Sequence, residues 1–334
     1  MNSASTASRF DSCMTVHIED FLTHHRALGK AFASEEHALR LFDRYLSAAN
    51  IAAIEQVSSS VLTSFLSSRP RTSARSHNHL LSVVGRLLRW MVRQQRLSHS
   101  PLNVRPRRCP APQAPFLFEP GQVAQLLALA VQLPDEPHSH QRGATYRMIF
   151  GLMYALGLRV GETARLCRKD VDLPRQCLRI RQTKFAKDRF VPFGAQVAAA
   201  LGHYLEAREQ RHGTLLADDP VFSVHKGGRR PLTAKAISRT FHRLVARLNL
   251  EVAAGVAPPR LHCLRHSFAV STLLRWYRAG VDPGAQLLHL STFLGHVNPT
   301  STAVYLTITA DLLAQASERF HRFAAPILTE ASHE

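Results

Sequence analysis

Apolar positions recur at helical spacing along most of the chain. The clearest case runs from Ser73 to Gln94. Leu80, Leu81, Val84, Leu87, Leu88 and Met91 fall on one side of a 3.6-residue period, and Arg75, Arg86, Arg89 and Arg93 fall off it. Three shorter patterns precede it. One starts at Val16 and ends near Gly29, and one opens at Ser34 as N-cap with Glu35 and Glu36 in its first turn. The third spans Val57 to Leu66. From Ser100 to Pro115 the periodicity stops, and five prolines sit among Arg105, Arg107 and Arg108. Proline without periodicity reads as an extended linker. The domain boundary is therefore expected near residue 112, with units 1–112 and 113–334.

Helical spacing resumes at Gly121–Leu133 and again at Ala144–Leu156, where Gly157 suits a left-handed turn. A further helix is expected at Gly161–Arg168. The pattern then changes. Asp170–Leu173, Cys177–Gln182 and Arg189–Phe193 read as three short strands, with alternation in Leu178, Ile180 and Gln182. Helices return at Gly194–Arg211 and at Thr233–Leu248, with Thr233 as N-cap, and continue to Phe323. The expected class is mainly α with a small antiparallel β-sheet, in two domains.

Charge narrows the partner. The chain carries 42 Lys and Arg against 24 Asp and Glu, a formal +18. From Gln56 to Phe118 there are ten Arg and no acid. Splitting at residue 112 leaves 15 basic against 7 acidic residues before it and 27 against 17 after it, so both halves are basic. Such an excess points to a polyanion, and nucleic acid is the usual one. Five scattered Cys without a Cys-x-x-Cys pair read as reduced thiols, and no apolar run reaches the length of a membrane span. With no apolar leader pattern at Met1–Phe10, the expectation is a soluble cytoplasmic protein associated with the nucleoid.

The chemistry concentrates in Leu261–Tyr305. Leu261-His262-Cys263-Leu264-Arg265-His266 is followed by Leu294-Gly295-His296 and, after eight intervening residues, Tyr305. His262 and Arg265, three apart, share a helix face. A phenol can attack a phosphodiester, imidazoles can move protons, and a guanidinium can hold phosphate oxygens.

These residues resemble the tyrosine recombinases, the phage-integrase family. The family carries His-x-x-Arg-His, Leu-Gly-His and a Tyr nucleophile, with an upstream Arg in a helix-turn segment and a Lys in a β-hairpin. Here Ala155-Leu156-Gly157-Leu158-Arg159-Val160-Gly161-Glu162 and Thr183-Lys184 before Arg189-Phe190-Val191-Pro192 match those two pieces, in family order. The resemblance covers roughly Met148 to Tyr305. It implies a helical core-binding domain and a catalytic domain that close as a clamp on double-stranded DNA, which is cut and rejoined through a covalent 3′-phosphotyrosine. Tyr305 would be the nucleophile and Arg159 and Arg265 the phosphate clamp, while His262 would act as a general base or position a proton between Tyr305 and the phosphate. His296 would bond the phosphate or the phenol, and Lys184, with Lys187 as its rival, would protonate the leaving 5′-oxygen. His266 reads as structural. Arg71, Arg75, Asn78, Arg86, Lys187, Lys235 and Arg239 are the candidate DNA contacts.

The resemblance further implies four protomers on two duplexes, exchange of a C-terminal segment such as Leu312–Phe323, and a mobile-element setting with accessory DNA-bending proteins. It implies no cofactor. His262-x-x-x-His266 lacks the acid of a His-Glu-x-x-His metal pair, and no phosphate-cradling glycine loop precedes a Lys-Ser or Lys-Thr. Two other readings stay open: a sequence-specific DNA-binding protein without catalysis, and a type IB topoisomerase-like enzyme.

Overall fold

The computed structural model describes residues 10–30, 32–111, 113–181, 188–296, 298 and 300–307. It divides into two compact units, Met1–Pro112 and Gln113–Glu334.

In the first unit, α1 (Thr15–Ala27), α2 (Ala33–Ala48) and α3 (Ser59–Ser67) surround α4 (Ala74–Arg93). Because α4 meets all three, it is buried over a wider arc than its sequence stripe suggested, and Val83 and Trp90 join the core. Ser34 is not the N-cap of α2. That place belongs to Phe32, held at φ 50°, and the helix begins two residues earlier than expected. Arg86 lies on the packed side of α4, 3.1 Å from Glu35 and over the Phe32 ring at 5.3 Å. Beyond α4, Asn78 donates to Arg107 O at 2.7 Å and accepts from Arg107 N at 2.8 Å, fixing part of the proline-rich segment.

The second unit opens with α5 (Pro120–Val131) and α6 (Arg142–Ala155), followed by the short α7 (Val160–Ala164). The expected helix to Arg168 stops at Ala164, and a single 3-10 turn covers Arg168–Asp170. The sheet is antiparallel in the order β1 (Val171–Asp172), β2 (Cys177–Ile180), β3 (Arg189–Pro192). Val171 pairs with Leu178, and Leu178 with Val191, so one face enters the core while Phe190 stands 68% exposed on the other. Then come α8 (Ala195–His212), α9 (Ala234–Val245), α10 (Cys263–Arg278), α11 (Pro283–Leu294) and α12 (Thr300–Ala303). Thr233 caps α9 as its sequence indicated, its hydroxyl accepting from Ala236 N. A main core lies among α5, α6, α8, α9 and the sheet, and a smaller cluster joins α10 to α11. No helix among the described residues is long and apolar enough to cross a membrane.

Candidate active site

Two glycine turns set the floor of the site. Gly157 follows α6 with φ +60°, and Gly295 closes α11 with φ +67°. A Cβ at Gly157 would lie 2.6 Å from Phe268 Cδ1, and one at Gly295 2.8 Å from Arg189 Nη1, so both backbone angle and space call for glycine. Helix ends leave carbonyls without intrahelical partners, and the end of α11 is electronegative. Three arginines occupy it. Arg189 Nε donates to Phe293 O at 2.9 Å, Arg265 Nη2 to Leu294 O at 2.7 Å, and Arg159 Nη2 to Gly295 O at 2.9 Å. Arg265, fully buried on α10, also donates from Nη1 to Gly157 O at 2.7 Å, which ties the two glycine turns together.

Three guanidiniums this close need a counter-charge, and Glu162 of α7 supplies it from a side chain only 3% exposed. Oε1 accepts from Arg159 Nη1 and Arg189 Nη1, both at 2.8 Å. Oε2 accepts from Arg189 Nη2 and the Arg159 main-chain N–H, both at 2.9 Å. Burial alone would raise this carboxyl, but Arg189 and Arg159 outweigh it and hold it at about 2. The cluster stays net positive and has donors to spare. Each guanidinium has five N–H groups, and Arg265 Nε is buried without a partner among the described residues. Sequence reasoning quoted Glu162 and Arg189 inside the motifs but gave them no role. The signal for Glu162 was its place three residues after Arg159 at a helix start, the spacing of a reciprocal cap.

Three imidazoles line the other side. His262 and His266, one turn apart on α10, stand edge to face with ring centroids 4.6 Å apart. His262 is exposed, whereas His266 is half-buried. His296, just after the Gly295 turn, is 2.6 Å from Thr302 Oγ1 through Nδ1 and stacks near the Tyr305 ring at 6.3 Å. Desolvation and the neighbouring arginines bring all three down to about 4, so they are neutral at neutral pH. For His262 the next largest influence after desolvation is His266.

Tyr305 sits in a 3-10 turn, Val304–Thr307, directly after α12. Its ring is 4% exposed and packs with Val270, Leu273, Leu290 and Leu294. Its hydroxyl is not sealed in hydrocarbon. It lies 2.9 Å from His266 Nδ1, with the Arg265 guanidinium beside it. Burial pushes the phenol up from its ordinary value, against the pull of Arg265 and Arg159.

Arg159, His262, Arg265, His296 and Tyr305 are thus gathered in one place from four separate stretches of chain. His266, read from the sequence as structural, is the imidazole whose nitrogen lies against the phenol among the described residues. Lys184 and Lys187 lie outside the described residues, as does Leu312–Phe323. Of the other DNA-contact candidates, Arg75 is exposed on α4, and Lys235 and Arg239 are exposed four apart on α9. Arg71 is half-buried and its carbonyl accepts from Arg107 Nη1 at 3.3 Å. Asn78 and Arg86 bond within their own unit, Asn78 to Arg107 O and Arg86 to Glu35.

Comparison with known proteins places this arrangement. The model of the phage integrase family matches residues 119–311. The Sinorhizobium fredii integrase/recombinase-type protein y4rB is 39% identical over 66% of this chain and 69% of its own, and y4rE of the same organism is 32% identical over 90% and 94%. Tyrosine recombinase XerA of Thermococcus kodakarensis is 30% identical over 72% of this chain and 75% of its own. The solved Tn1549 transposon integrase, in complex with transposon right end DNA, shares the fold with a TM-score of 0.63 at 18% identity, covering 92% of this chain and 98% of that one.

Proposed function

The chain belongs to the phage integrase family of tyrosine recombinases, and from that premise we propose that it cuts and rejoins double-stranded DNA at specific sites through a 3′-phosphotyrosine on Tyr305. The observation that carries this reading is the position of the phenol against Arg265 within a single chain, beside a guanidinium cluster whose donors exceed its internal acceptors. That arrangement favours cleavage in cis.

Arg159 and Arg265 hold the non-bridging oxygens of the scissile phosphate, whose negative charge grows in the transition state. Glu162 and the carbonyls of Gly157, Leu294 and Gly295 orient those guanidiniums beforehand, so the reaction spends little on reorganising them. The Tyr305 oxygen attacks phosphorus and the bond to the 5′-oxygen breaks. That oxygen leaves with a proton, for which Lys184 is the candidate by its motif place. His262, at the exposed rim, and His296, above the phenol ring, hydrogen-bond the phosphate. Reversal with a different 5′-hydroxyl rejoins the strand, and because the phosphotyrosine keeps the energy of the original bond, no nucleotide is consumed. The exposed basic residues Arg75, Lys235 and Arg239 contact the duplex, with four protomers on two sites. The transposon integrase likeness supports a mobile element as the setting.

A nicked suicide substrate carrying the ends of the host element tests this. Wild-type protein is expected to form a covalent adduct that Tyr305→Phe does not form while still binding DNA. Absence of a wild-type adduct would leave a DNA-binding protein without catalysis.

A further inference from the structure

We infer that His266, rather than His262, is the catalytic base that takes the phenol proton of Tyr305. This deepens the proposed function and rests on Tyr305 being the nucleophile. Three observations lead there. First, the His266 Nδ1 to Tyr305 oxygen distance is 2.9 Å, within the range for direct proton transfer.

Second, the neighbours of that bond favour one direction. A guanidinium can only donate, so the phenol oxygen accepts from the side where Arg265 lies. With that lone pair engaged, the arrangement in which the phenol gives its own hydrogen to His266 has Nδ1 as the unprotonated nitrogen and Nε2 as the protonated one. Burial and Arg265 keep this ring neutral at neutral pH, and burial keeps the phenol protonated, so acceptor and donor are both in the form the transfer requires.

Third, the two α10 histidines differ in accessible surface, although both rings are desolvated. His262 is exposed at the rim where a duplex arrives, and His266 is half-buried one turn further along the helix. The outer ring meets phosphate and the inner ring meets the phenol. The groups around His266 are Arg265 and His262 on its own helix, and Tyr305 with His296 from the segment after α11.

The step balances simply. The phenol O–H bond breaks, its proton moves to Nδ1 and makes His266 an imidazolium, and the phenolate electron pair forms the bond to phosphorus. The P–O5′ bond breaks, and the 5′-oxygen takes its proton from the separate acid. On rejoining, the imidazolium returns its proton to the departing phenolate. The new cation is stabilised by the phosphate charge that develops beside it.

His266→Asn is the informative variant, because the Asn side chain can place a polar atom near Nδ1 yet cannot carry the proton. On the suicide substrate, single-turnover cleavage is expected to fall by about 10²–10⁴-fold, with DNA affinity unchanged. Replacing Tyr305 by a ring-fluorinated tyrosine, whose phenol is more acidic, is expected to recover at least about tenfold of that loss in the Asn background and to change wild type far less. His266→Gln is the second variant, should Asn fail to fold as judged by thermal unfolding. Cleavage by both variants within about threefold of wild type, or a loss that the acidic tyrosine does not recover, would overturn the base. No adduct from wild type at any pH would remove the nucleophile reading itself, and this inference with it.

Discussion

Glu162→Gln probes the organising charge of the site. The substitution keeps shape and removes one negative charge from a side chain only 3% exposed. It also presents an NH2 group to a carboxylate site that now receives donors alone, from Arg159 and Arg189. Two routes give the magnitude. Breaking a buried ion pair by removing one partner costs about 3–5 kcal/mol. Holding a carboxyl at about 2 instead of 4.5 is worth about 3 kcal/mol at neutral pH. For a unit of this size, a loss of about 3 kcal/mol lowers Tm by about 6–12 °C. The pH dependence follows from the direction of the shift. A depressed carboxyl stabilises fully above its unfolded value of 4.5 and loses that stabilisation as pH falls towards about 2. Glu162→Gln has no such titration, so the gap between the two proteins should be constant from pH 7 to 5 and narrow below that. The histidines titrate in both proteins and cancel in the difference. Urea unfolding of the two across pH 7 to 3 measures it. A gap below about 1 kcal/mol at pH 7, or one unchanged at pH 3, would refute the assignment of Glu162 as counter-charge to Arg159 and Arg189.

Arg265→Lys keeps the charge but loses the fork that spans Gly157 O and Leu294 O. Suicide-substrate cleavage should fall by about 10²–10³-fold, while a low-salt gel shift still detects binding. Gly157→Ala combines a left-handed backbone angle with a Cβ 2.6 Å from Phe268 Cδ1, so a loss of about 2–4 kcal/mol is expected in chemical unfolding. Lys235→Gln with Arg239→Gln alters two exposed positions on α9. Stability should stay within about 0.5 kcal/mol, and the salt dependence of DNA binding should become shallower by about two phosphate contacts. An unchanged salt slope would move the interface off α9. Asn78→Ala should free the main chain at Arg107, read as faster amide exchange there, with no change in the exchange of α4.

Much of this protein was legible from local rules. Helical spacing located α4 and α9, alternation located the sheet, and Gly157 marked the end of α6, because each depends on residues a few positions apart. The candidate phenol, imidazoles and guanidiniums were also visible, since side-chain chemistry belongs to the residue and the motif spacing is linear. What local rules missed came where one segment's environment is made by another. Arg86, off the apolar stripe of α4 and read as a DNA contact, has Glu35 and Phe32 of the α2 region against it. The N-cap of α2 fell to Phe32 because packing around its ring holds a backbone angle that local preference disfavours.

The tertiary structure alone decided who meets whom in the site. Arg159 reaches Gly295 O across 136 positions, and Arg189 reaches Phe293 O across 104. His262 and His266 are equivalent as letters in a motif, and the contact of one with the phenol and the greater exposure of the other separate them. Spacing along a helix determines which face a side chain shares, whereas the atom it touches depends on how the ends of distant helices come together. Here that meeting point is the last turn of α11, whose three open carbonyls gather the arginines around the phenol.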